Sequence, residues 1–530
     1  MPARQASFDN ACATPGRPLE PSPQAENHGQ PSFEALTARA EHWRAQGKTV
    51  VTVLGLGFVG AAVAPVIADA GENEPRHFVI GLDQPTPEGR RKAACLNAGR
   101  FPFASPDPAL PGIVRRAALE RGNLAAATDS RALALADVIV VDLPLDARIG
   151  DGGVADALIV DAGSFAEAMA EVGRLMRPEA LVLVETTVPV GACQELILPV
   201  LSRELAARGL DVRPRLAHAY ERVMPGPGYV ASIRDFWRVY AGVDAPSTEL
   251  ARAFLESFCD VDKHPLTRLD SPAASEMAKL LENAYRATNI AFIQEWTLLA
   301  ETAGVDLFAV IEAIRKRRGT HDNIRQPGLG VGGYCLTKDA LLAQWAADNL
   351  FPGGVRLETS LRAIAINAAM PLHTAGLVRL VVPGGLAGVK AAILGASYLP
   401  DVPDVRSTPS AVLADALRGD GAVVVAHDPC LDGWDHPGTR FAARLEDALD
   451  GAGVVILATA HKAYRDLDRA RLLAMAGGTP AVVDAQNILT DDKARTLFDA
   501  GCRLAGTGKG HWRRLGYHHG PGGTPHDQRP

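Results

Sequence analysis

The strongest structural signal in this 530-residue chain is Thr49-Val-Val-Thr-Val-Leu-Gly-Leu-Gly-Phe-Val-Gly60. Its first six residues form an apolar, β-branched run that is typical of a buried parallel strand. The three glycines that follow have the spacing Gly-x-Gly-x-x-Gly: the first allows a tight turn, the second lets a pyrophosphate approach the backbone, and the third allows close helix–strand packing. An apolar, alanine-rich segment comes next, as expected for a helix. The pattern predicts a dinucleotide site formed by Gly55, Gly57, Phe58, Val59 and Gly60.

A second apolar run, at 78–82, is followed by Asp83, 23 positions after Gly60. A carboxylate at this point accepts hydrogen bonds from a ribose 2′-hydroxyl and repels a 2′-phosphate. The sequence therefore predicts NAD rather than NADP as the cofactor. Taken alone, the glycine pattern is also compatible with a structural strand–helix turn that binds nothing.

Strand-like runs alternate with helical segments over most of the chain, which predicts right-handed βαβ units. The middle, from 271 to about 316, is almost purely helical instead. We therefore predict an α/β fold with two Rossmann-like doubly wound parallel-sheet domains joined by a long central helix and a helical middle domain. The further strand-like runs are 138–143, 181–184 and 215–219, then 390–394, 422–426, 454–458 and 481–483.

These patterns divide the chain into five predicted parts. Residues 1–46 are a disordered extension with a short helix at 32–46, 47–245 an NAD-binding domain, and 246–370 a helical central domain. Residues 371–508 form a second Rossmann-like domain, and 509–530 a flexible tail.

Composition excludes several classes of protein. Lys and Arg number 54 against 61 Asp and Glu, a formal net charge of −7, so no basic excess points to nucleic acid. No continuous apolar run approaches the roughly 18 residues of a membrane span, and residues 1–30 lack the features of a signal peptide. The seven cysteines are scattered without a C-x-x-C pair, which predicts a reducing, cytoplasmic location with neither disulfides nor a zinc site.

Three polar segments follow predicted strands or lie on the central helix. Thr187 comes after the run at 181–184, where α/β sheets bind ligands, and Glu221 and Arg222 come after the run at 215–219. Lys279 and Asn283 are four residues apart and share one helix face. Taken alone, the three segments are more typical of turn chemistry, a surface ion pair and a solvated helix edge, respectively, than of catalysis.

The most unusual string is Gly328-Leu-Gly-Val-Gly-Gly-Tyr-Cys-Leu-Thr-Lys-Asp339. Its glycines, including Gly332 and Gly333, allow backbone to approach a ligand closely. We expect a helix to start near Cys335, which would place the thiol in a first turn where the helix dipole favours a thiolate. Asp339 would then lie on the same face. A buried, inert thiol after a flexible loop is the alternative.

Together these motifs resemble the UDP-glucose/GDP-mannose dehydrogenase family of nucleotide-sugar 6-dehydrogenases, in order from about residue 50 to about 488. The family's Thr-Val-Pro-x-Gly, Glu-Arg-x-x-Pro-Gly, Lys-Leu-x-Glu-Asn and Gly-Val-Gly-Gly-x-Cys-x-x-x-Asp strings are present. So is Gly-x-x-Tyr-x-Pro-Asp-x-x-Asp-x-Arg, which ends at Arg406.

The resemblance implies oxidation of a sugar CH₂OH to a carboxylate with two NAD⁺ in succession. Lys279 and Asn283 would stabilise the oxyanion, and Cys335 would capture the aldehyde as a thiohemiacetal that is oxidised to a thioester. Glu221 would activate the hydrolytic water, which Thr187 and Asp339 position. The substrate contacts it implies are Glu221, Arg222, Lys279, Asn283, Gly332, Gly333 and Arg406.

The same resemblance implies a UDP-sugar substrate, a homodimer or larger homo-oligomer formed through the helical middle, and no nucleic acid, membrane or metal. The Glu-Arg-Val-x-Pro-Gly and Gly-Gly-Tyr-Cys strings favour the branch that acts on UDP-N-acetylmannosamine or UDP-N-acetylglucosamine, while Lys338-Asp339 also occurs in the UDP-glucose branch. Three positions depart from the family pattern: Leu145, Leu399 and Tyr220.

Two other functions stay open at this point. A non-catalytic nucleotide-sugar sensor or scaffold is favoured by Leu145, Leu399 and the long leader, and opposed by the complete set of reacting groups. A two-electron hydroxyacid dehydrogenase would not need Cys335.

Overall fold

The computed structural model describes residues 29–103, 105–145, 147–149, 158–224 and 226–521. They form two compact units. The N-terminal unit contains the described residues up to Glu282 together with Lys338–Leu357, and the C-terminal unit contains Asn283–Thr337 and the described residues from Glu358 onward. The leader before residue 29, for which the sequence predicts disorder, lies outside the described residues, as do Cys12, Asp146, Pro225 and 522–530.

A sheet of eight strands forms the centre of the N-terminal unit. The strands in chain order, with a separate antiparallel hairpin as β5 and β6, are β1 Thr49–Leu54, β2 His77–Leu82, β3 Leu124–Ala127, β4 Val138–Val141, β5 Ala147–Ile149, β6 Leu158–Val160, β7 Leu181–Val184, β8 Arg215–His218, β9 Val239–Gly242 and β10 Thr267–Arg268. The sheet order is β10-β9-β8-β7-β4-β1-β2-β3. The pairs are parallel except β8–β9, which is antiparallel, so the predicted parallel sheet has a reversed edge.

Helices cover both faces of this sheet. They are α1 Phe33–Ala45, α2 Phe58–Ala68, α3 Pro87–Asn97, α4 Leu110–Arg115, α5 Ala162–Leu175, α6 Leu198–Ala207, α7 Tyr229–Arg234 and α8 Ala245–Glu256, with π-helical turns at Arg116–Glu120 and Cys193–Ile197 and a 3₁₀ turn at Ser130–Leu135. Successive β1 residues such as Val50 and Val51 belong to two different apolar clusters. This alternation is expected because neighbouring side chains on a strand point to opposite faces.

The first helix, α1, packs onto the N-terminal unit. Ser32 caps it by accepting a hydrogen bond from the Ala35 backbone amide at 3.2 Å. Leu36 and Ala40 are fully buried, and Arg39 donates to the carbonyl oxygen of Gly122 at 2.9 Å. The helix α1 is therefore part of the folded N-terminal unit.

Four helices form the middle of the chain, and they are α9 Pro272–Ala303, α10 Leu307–Arg315, α11 Asp339–Asn349 and α12 Glu358–Val381. Ser271 accepts a hydrogen bond from the Ala274 amide at 3.3 Å, which is the predicted N-cap with Pro272 in the first turn. Along α9, large apolar side chains that are about half exposed fall within an arc of roughly 100° on the helix. This apolar stripe consists of Met277, Leu281, Tyr285, Phe292, Trp296 and Leu299.

The C-terminal unit contains a second sheet, with the order β13-β12-β11-β14-β15-β16 and every pair parallel. Its strands are β11 Lys390–Leu394, β12 Val423–His427, β13 Arg440–Phe441, β14 Val454–Leu457, β15 Ala481–Asp484 and β16 Leu504–Gly506. Its helices are α13 Pro409–Gly419, α14 Leu445–Leu449, α15 Lys462–Arg465, α16 Arg469–Ala476, α17 Asp491–Asp499 and α18 Gly510–Arg514. The predicted fold class, two Rossmann-like units with a helical middle, is confirmed.

One expectation from the sequence needs correction. A flexible tail is predicted from residue 509, but α18 is helical and Trp512 is only 1% exposed, because its ring fills the core of the C-terminal unit. In addition, α12 is long and apolar enough to span a membrane by length and composition, although the sequence contains no continuous apolar run of that length. Buried residues of α12, including Ala375 and Val378, pack in the core of the C-terminal unit, as in the core helix of a globular domain.

Candidate functional site

The glycine turn between β1 and α2 has the geometry that a dinucleotide needs. Gly55 adopts φ +101°, a conformation that side chains disfavour, and a Cβ on Gly60 would lie 1.9 Å from the Gly55 carbonyl oxygen. A Cβ on Gly57 would meet no atom within 4 Å, so this glycine faces open space. Gly57 also begins α2 without a side-chain cap, which leaves the first helical amides directed at that space. The turn fits NAD, with its pyrophosphate at the amino end of α2.

Asp83 lies immediately after β2, where the sequence places the ribose contact. Its Oδ1 accepts a hydrogen bond from the Gln84 amide at 2.8 Å, and its Oδ2 pairs with Lys92 Nζ at 3.0 Å. Phe58 and Val59 form the first turn of α2, and the Phe58 ring stacks on Phe103 with 4.5 Å between ring centroids. The predicted cofactor residues of both turns are therefore present at one edge of the sheet.

The loop after β7 carries the two threonines at the same carboxyl edge. Thr186 donates through its hydroxyl to the carbonyl oxygens of Val141 and Leu143, at 3.1 and 2.7 Å, and so ties β7 to the end of β4. Thr187 is half-buried and follows directly. Gly191 and Cys193 donate their amides to the buried carboxylate of Glu276 on α9.

Glu221 and Lys279 come together in the N-terminal unit. Lys279 Nζ lies 2.8 Å from the carbonyl oxygen of Glu221 and 3.4 Å from its carboxylate. The other carboxylate oxygen of Glu221 accepts a short hydrogen bond from the Val223 amide. Lys279 is 8% exposed, and Asn283, one helical turn further along α9, is 9% exposed. The geometry places a general base beside a cation that can stabilise an oxyanion.

Arg222, predicted as a substrate contact, is held by protein groups. Its Nη2 donates to Glu282 at 2.8 Å and to the Tyr220 hydroxyl at 2.8 Å, and its Nη1 donates to the Trp237 carbonyl oxygen at 2.7 Å. The guanidinium also lies 5.1 Å from the Phe236 ring centroid. These contacts fix the segment that carries Glu221.

Three charged residues at the carboxyl edge of the N-terminal sheet, Asp142, Glu185 and Arg238, form a row that the sequence motifs do not predict. Because β9 runs antiparallel to β8, Arg238 at its start lies at the carboxyl edge, where its Nη1 is 2.6 Å from Glu185 Oε1. Asp142 follows β4 in the same row. Burial, reinforced by the charges of Glu185 and Glu221, raises the pKa of Asp142 well above its usual value. The signal was available, since both acids directly follow apolar strand runs.

Cys335 does not lie in a helical turn, which corrects the expectation from the sequence. The helix α11 begins at Asp339, four residues later, because the preceding glycines, with Gly330 at φ +143° and Gly333 at φ +87°, keep the backbone out of helical geometry. Asp339 is therefore the residue in the first turn, and its side chain is 1% exposed, with Lys338 Nζ 3.7 Å away. The dipole argument applies to Asp339 rather than to the thiol.

Arg406 lies next to the glycine loop in the C-terminal unit. Its carbonyl oxygen accepts a hydrogen bond from the Gly333 amide at 2.9 Å, and its guanidinium pairs with Asp404 at 2.6 Å. A Cβ on Gly332 would lie 2.5 Å from the Tyr398 Cβ, and a Cβ on Gly333 would lie 2.7 Å from the Cζ atom of the Tyr398 ring. These two glycines are therefore required for close packing of the Cys335 loop on the segment that carries Arg406.

Cys335 differs from the other cysteines that the structure describes. It is exposed, whereas Cys95, Cys193, Cys259, Cys430 and Cys502 are buried. Burial raises the pKa of the Cys259 thiol to about 11 and that of the Cys502 thiol to about 11. Among the cysteines that the structure describes, the thiol that solvent reaches is thus the one that the sequence singled out, Cys335.

One group of potential metal ligands in the C-terminal unit, Asp401, Cys430 and His461, is a hydrogen-bond network. His461 Nδ1 accepts from the Asp401 amide at 2.9 Å, and Nε2 lies 3.1 Å from Asp428 Oδ2. Both ring nitrogens therefore have protein partners. Asp428 also accepts the Ala396 and Ser397 amides at 2.9 Å, which anchors the turn after β11.

Three family models match consecutive parts of the chain. They describe the UDP-glucose/GDP-mannose dehydrogenase family: its NAD binding domain matches residues 49–256, its central domain 273–368 and its UDP binding domain 392–491.

Individual proteins are similar along most of their length. A UDP-N-acetyl-D-mannosamine dehydrogenase of Methanocaldococcus jannaschii is 27% identical over 441 residues, which cover 83% of this chain and 92% of that protein. The crystal structure of an NDP-N-acetyl-D-galactosaminuronic acid dehydrogenase from Methanosarcina mazei superposes with a TM-score of 0.74 at 25% identity, over 90% of this chain and 98% of that one. A UDP-glucose dehydrogenase from Pyrobaculum islandicum gives a TM-score of 0.70 at 26% identity, over 84% and 96%.

Proposed function

The chain belongs to the UDP-glucose/GDP-mannose dehydrogenase family, and on that premise we propose that it oxidises the 6-hydroxymethyl group of a UDP-N-acetylhexosamine to the uronate. It is an NAD-dependent oxidoreductase of nucleotide sugars. The observation that carries the proposal is the Lys279–Glu221 pair at the carboxyl edge of the N-terminal sheet, which joins an oxyanion-stabilising cation to a base.

Two NAD⁺ molecules, held in succession at the β1–α2 turn, would supply one hydride acceptor for each of the two oxidation steps. Lys279 and Asn283 bind the substrate oxygen and stabilise its negative charge as the C6 alcohol is oxidised to the aldehyde. The thiolate of Cys335 then adds to the aldehyde carbon and forms a thiohemiacetal, which the second oxidation converts to a thioester.

Hydrolysis completes the reaction. Glu221 takes a proton from water, whose oxygen adds to the thioester carbon, and the C–S bond breaks to release the uronate and the free thiol. Thr187 and Asp339 position this water. Arg222, Arg406, Gly332 and Gly333 contact the nucleotide sugar.

UDP-N-acetylmannosamine and UDP-N-acetylglucosamine are the proposed substrates, and the product serves surface polysaccharide synthesis. The relatives named for N-acetylated sugars support this choice. UDP-glucose is the second candidate, because the Pyrobaculum enzyme is also similar over most of its length. A non-catalytic UDP-sugar sensor is the alternative of another class.

We further propose a cytoplasmic homodimer that binds neither membrane nor nucleic acid. The apolar stripe of α9 supports a dimer, because half-exposed aromatic and aliphatic side chains along one helix face are typical of a protein interface. Of the predicted division, 47–245, 246–370 and 371–508 are proposed as the NAD-binding, central and UDP-sugar-binding domains, for which the three family-model matches are the support. The helix α1 packs on the first of these domains, and α18 on the last.

The test is NADH release from UDP-N-acetylmannosamine, UDP-N-acetylglucosamine, UDP-glucose, UDP-N-acetylgalactosamine and GDP-mannose. We expect two NADH for each N-acetylhexosamine oxidised. Cys335→Ala should make no uronate, whereas Cys502→Ala, which changes a buried thiol in the C-terminal unit, should keep turnover. A folded Cys335→Ala enzyme that makes uronate at the wild-type rate would contradict the mechanism. Calorimetric binding of these sugars without NADH release would favour the sensor.

A further inference from the structure

Two cations lie close to the ring of Tyr220 in the N-terminal unit. The Lys279 ammonium is 5.5 Å from the centroid of that ring, and the Arg222 guanidinium carbon is 5.2 Å from the same centroid. Both distances are within the roughly 6 Å over which an aromatic face attracts a cation. The side chain is 2% exposed, so water does not screen either contact.

Lys279 needs such a contact because it is itself nearly buried. A buried ammonium is unstable unless neighbouring groups replace its hydration. Lys279 contacts Glu221 twice, with its Nζ 2.8 Å from the carbonyl oxygen and 3.4 Å from the carboxylate. A ring face stabilises the ammonium without accepting its proton, whereas a carboxylate can take that proton.

The ring itself is held in place. The Tyr220 hydroxyl accepts a hydrogen bond from Arg222 Nη2 at 2.8 Å, and Arg222 is paired with Glu282 on α9. Glu282 and Lys279 are three residues apart on α9. The contacts from Tyr220 through Arg222 to Glu282 therefore connect the segment that carries Glu221 to the helix turn that carries Lys279. Burial raises the pKa of Tyr220, so the phenol stays neutral over the working pH range.

We propose that Tyr220 is a positioning residue whose ring keeps the Lys279 side chain in its charged ammonium form and beside Glu221. The inference rests on the proposed function, in which that charge stabilises the substrate oxyanion. It assigns a role to Tyr220, one of the three positions that depart from the family pattern.

The test replaces Tyr220 with Phe and then with 4-fluoro-, 3,5-difluoro- and 3,4,5-trifluorophenylalanine in the full-length enzyme. Fluorine weakens the negative ring face while the ring keeps nearly the same shape. We expect the alkaline limb of the kcat–pH profile to move stepwise to lower pH, by about 0.5 to 1 pH unit from Phe to the trifluoro ring. KM for the sugar should change less than kcat. An alkaline limb that stays in place across folded variants would overturn the proposal.

A readout without turnover separates this inference from the proposed function. Competitive acetylation of lysines against pH, measured by mass spectrometry, reports the charge of Lys279 directly. The Lys279 titration should shift along the fluorinated series, while that of Lys48, which pairs with Glu74 on the surface, stays constant. If the wild type reduces no NAD⁺ with any sugar, the proposed function fails while this titration still tests Tyr220. Equal titration of Lys279 in all variants would refute the ring–cation contact.

Discussion

Asp142 and Asp69 are both carboxylates of the N-terminal unit, and their surroundings move their pKa values in opposite directions. Burial raises the pKa of Asp142, and repulsion from Glu185 and Glu221 raises it further. Burial also acts on Asp69, but hydrogen bonds from Arg116 and Arg234 outweigh it and lower the pKa. One residue therefore opposes folding when it ionises, and the other supports it.

Asp142→Asn should stabilise the protein at neutral pH. Below about pH 4 the carboxyl is protonated in the folded and the unfolded chain alike, and the substitution changes little. As the pH rises, the unfolded chain releases this proton while the folded chain retains it, so the wild type loses stability that the Asn variant keeps. Urea unfolding at pH 4 and pH 8 measures the difference. A variant that is less stable at pH 8 would show that Asp142 is ionised and well paired.

Asp69→Asn is the matched control with the opposite sign. It should lower the free energy of unfolding by about 2 kcal/mol at pH 7, because charge-assisted hydrogen bonds to the arginines are lost. The deficit should shrink as the pH falls through the lowered pKa of Asp69, where the wild-type carboxylate is itself protonated. A deficit that is constant down to pH 2 would contradict this account.

At the scale of elements, two glycines of the β1–α2 turn have different roles, one in NAD⁺ binding and the other in the stability of the fold. Gly57→Ala should fold normally, since φ is −70° and the new methyl group meets open space, yet it should weaken NAD⁺ binding at least tenfold by obstructing the pyrophosphate. Gly60→Ala should cost about 3 kcal/mol of stability, because its methyl group would meet the rigid Gly55 backbone. Calorimetric titration with NAD⁺ and thermal unfolding distinguish the two effects. Equal melting temperatures for both variants would contradict the packing argument.

The elements that the sequence predicts best are those with a strong local pattern. The strands at 49–54, 181–184 and 390–394 have the predicted bounds, because each is a short, nearly continuous apolar run, as expected of a strand buried on both faces. The strand β3, Leu-Ala-Ala-Ala, was missed because alanine favours helices and only pairing with β2 makes it a strand.

The site follows the same rule. The glycine turn, Glu221, Lys279 and Cys335 stand in local motifs and are predictable from them. The start of α11 after Cys335, the hold of Tyr220 on Lys279 and the pairing of Arg238 with Glu185 depend on contacts between residues far apart in the chain. No local pattern contains that information.

At the scale of the whole molecule, the apolar stripe of α9 predicts the oligomeric state. Replacing Phe292 and Trp296 together by Glu places two charges on a face that should be buried between two copies of the chain. We expect the double variant to sediment as a monomer at concentrations where the wild type is a dimer. Leu119→Glu, at a side chain that is 50% exposed and lies outside the stripe, is the control and should leave the dimer intact. A wild type that sediments as a monomer would exclude the stripe as an interface.

Because Cys335 is exposed and the other described cysteines are buried, a thiol-specific dye can measure the amount of folded protein. In a Cys12→Ser background, a thiol-specific dye should modify one cysteine of the described residues rapidly, and the five buried ones only as the chain unfolds. The first equivalent of dye then measures the concentration of folded chains with Cys335 accessible, which under the proposed function is the concentration of active sites. The slow equivalents report the rate of opening of each unit. A single reagent thus measures both the concentration of accessible Cys335 thiols and the rate of unfolding in the same sample.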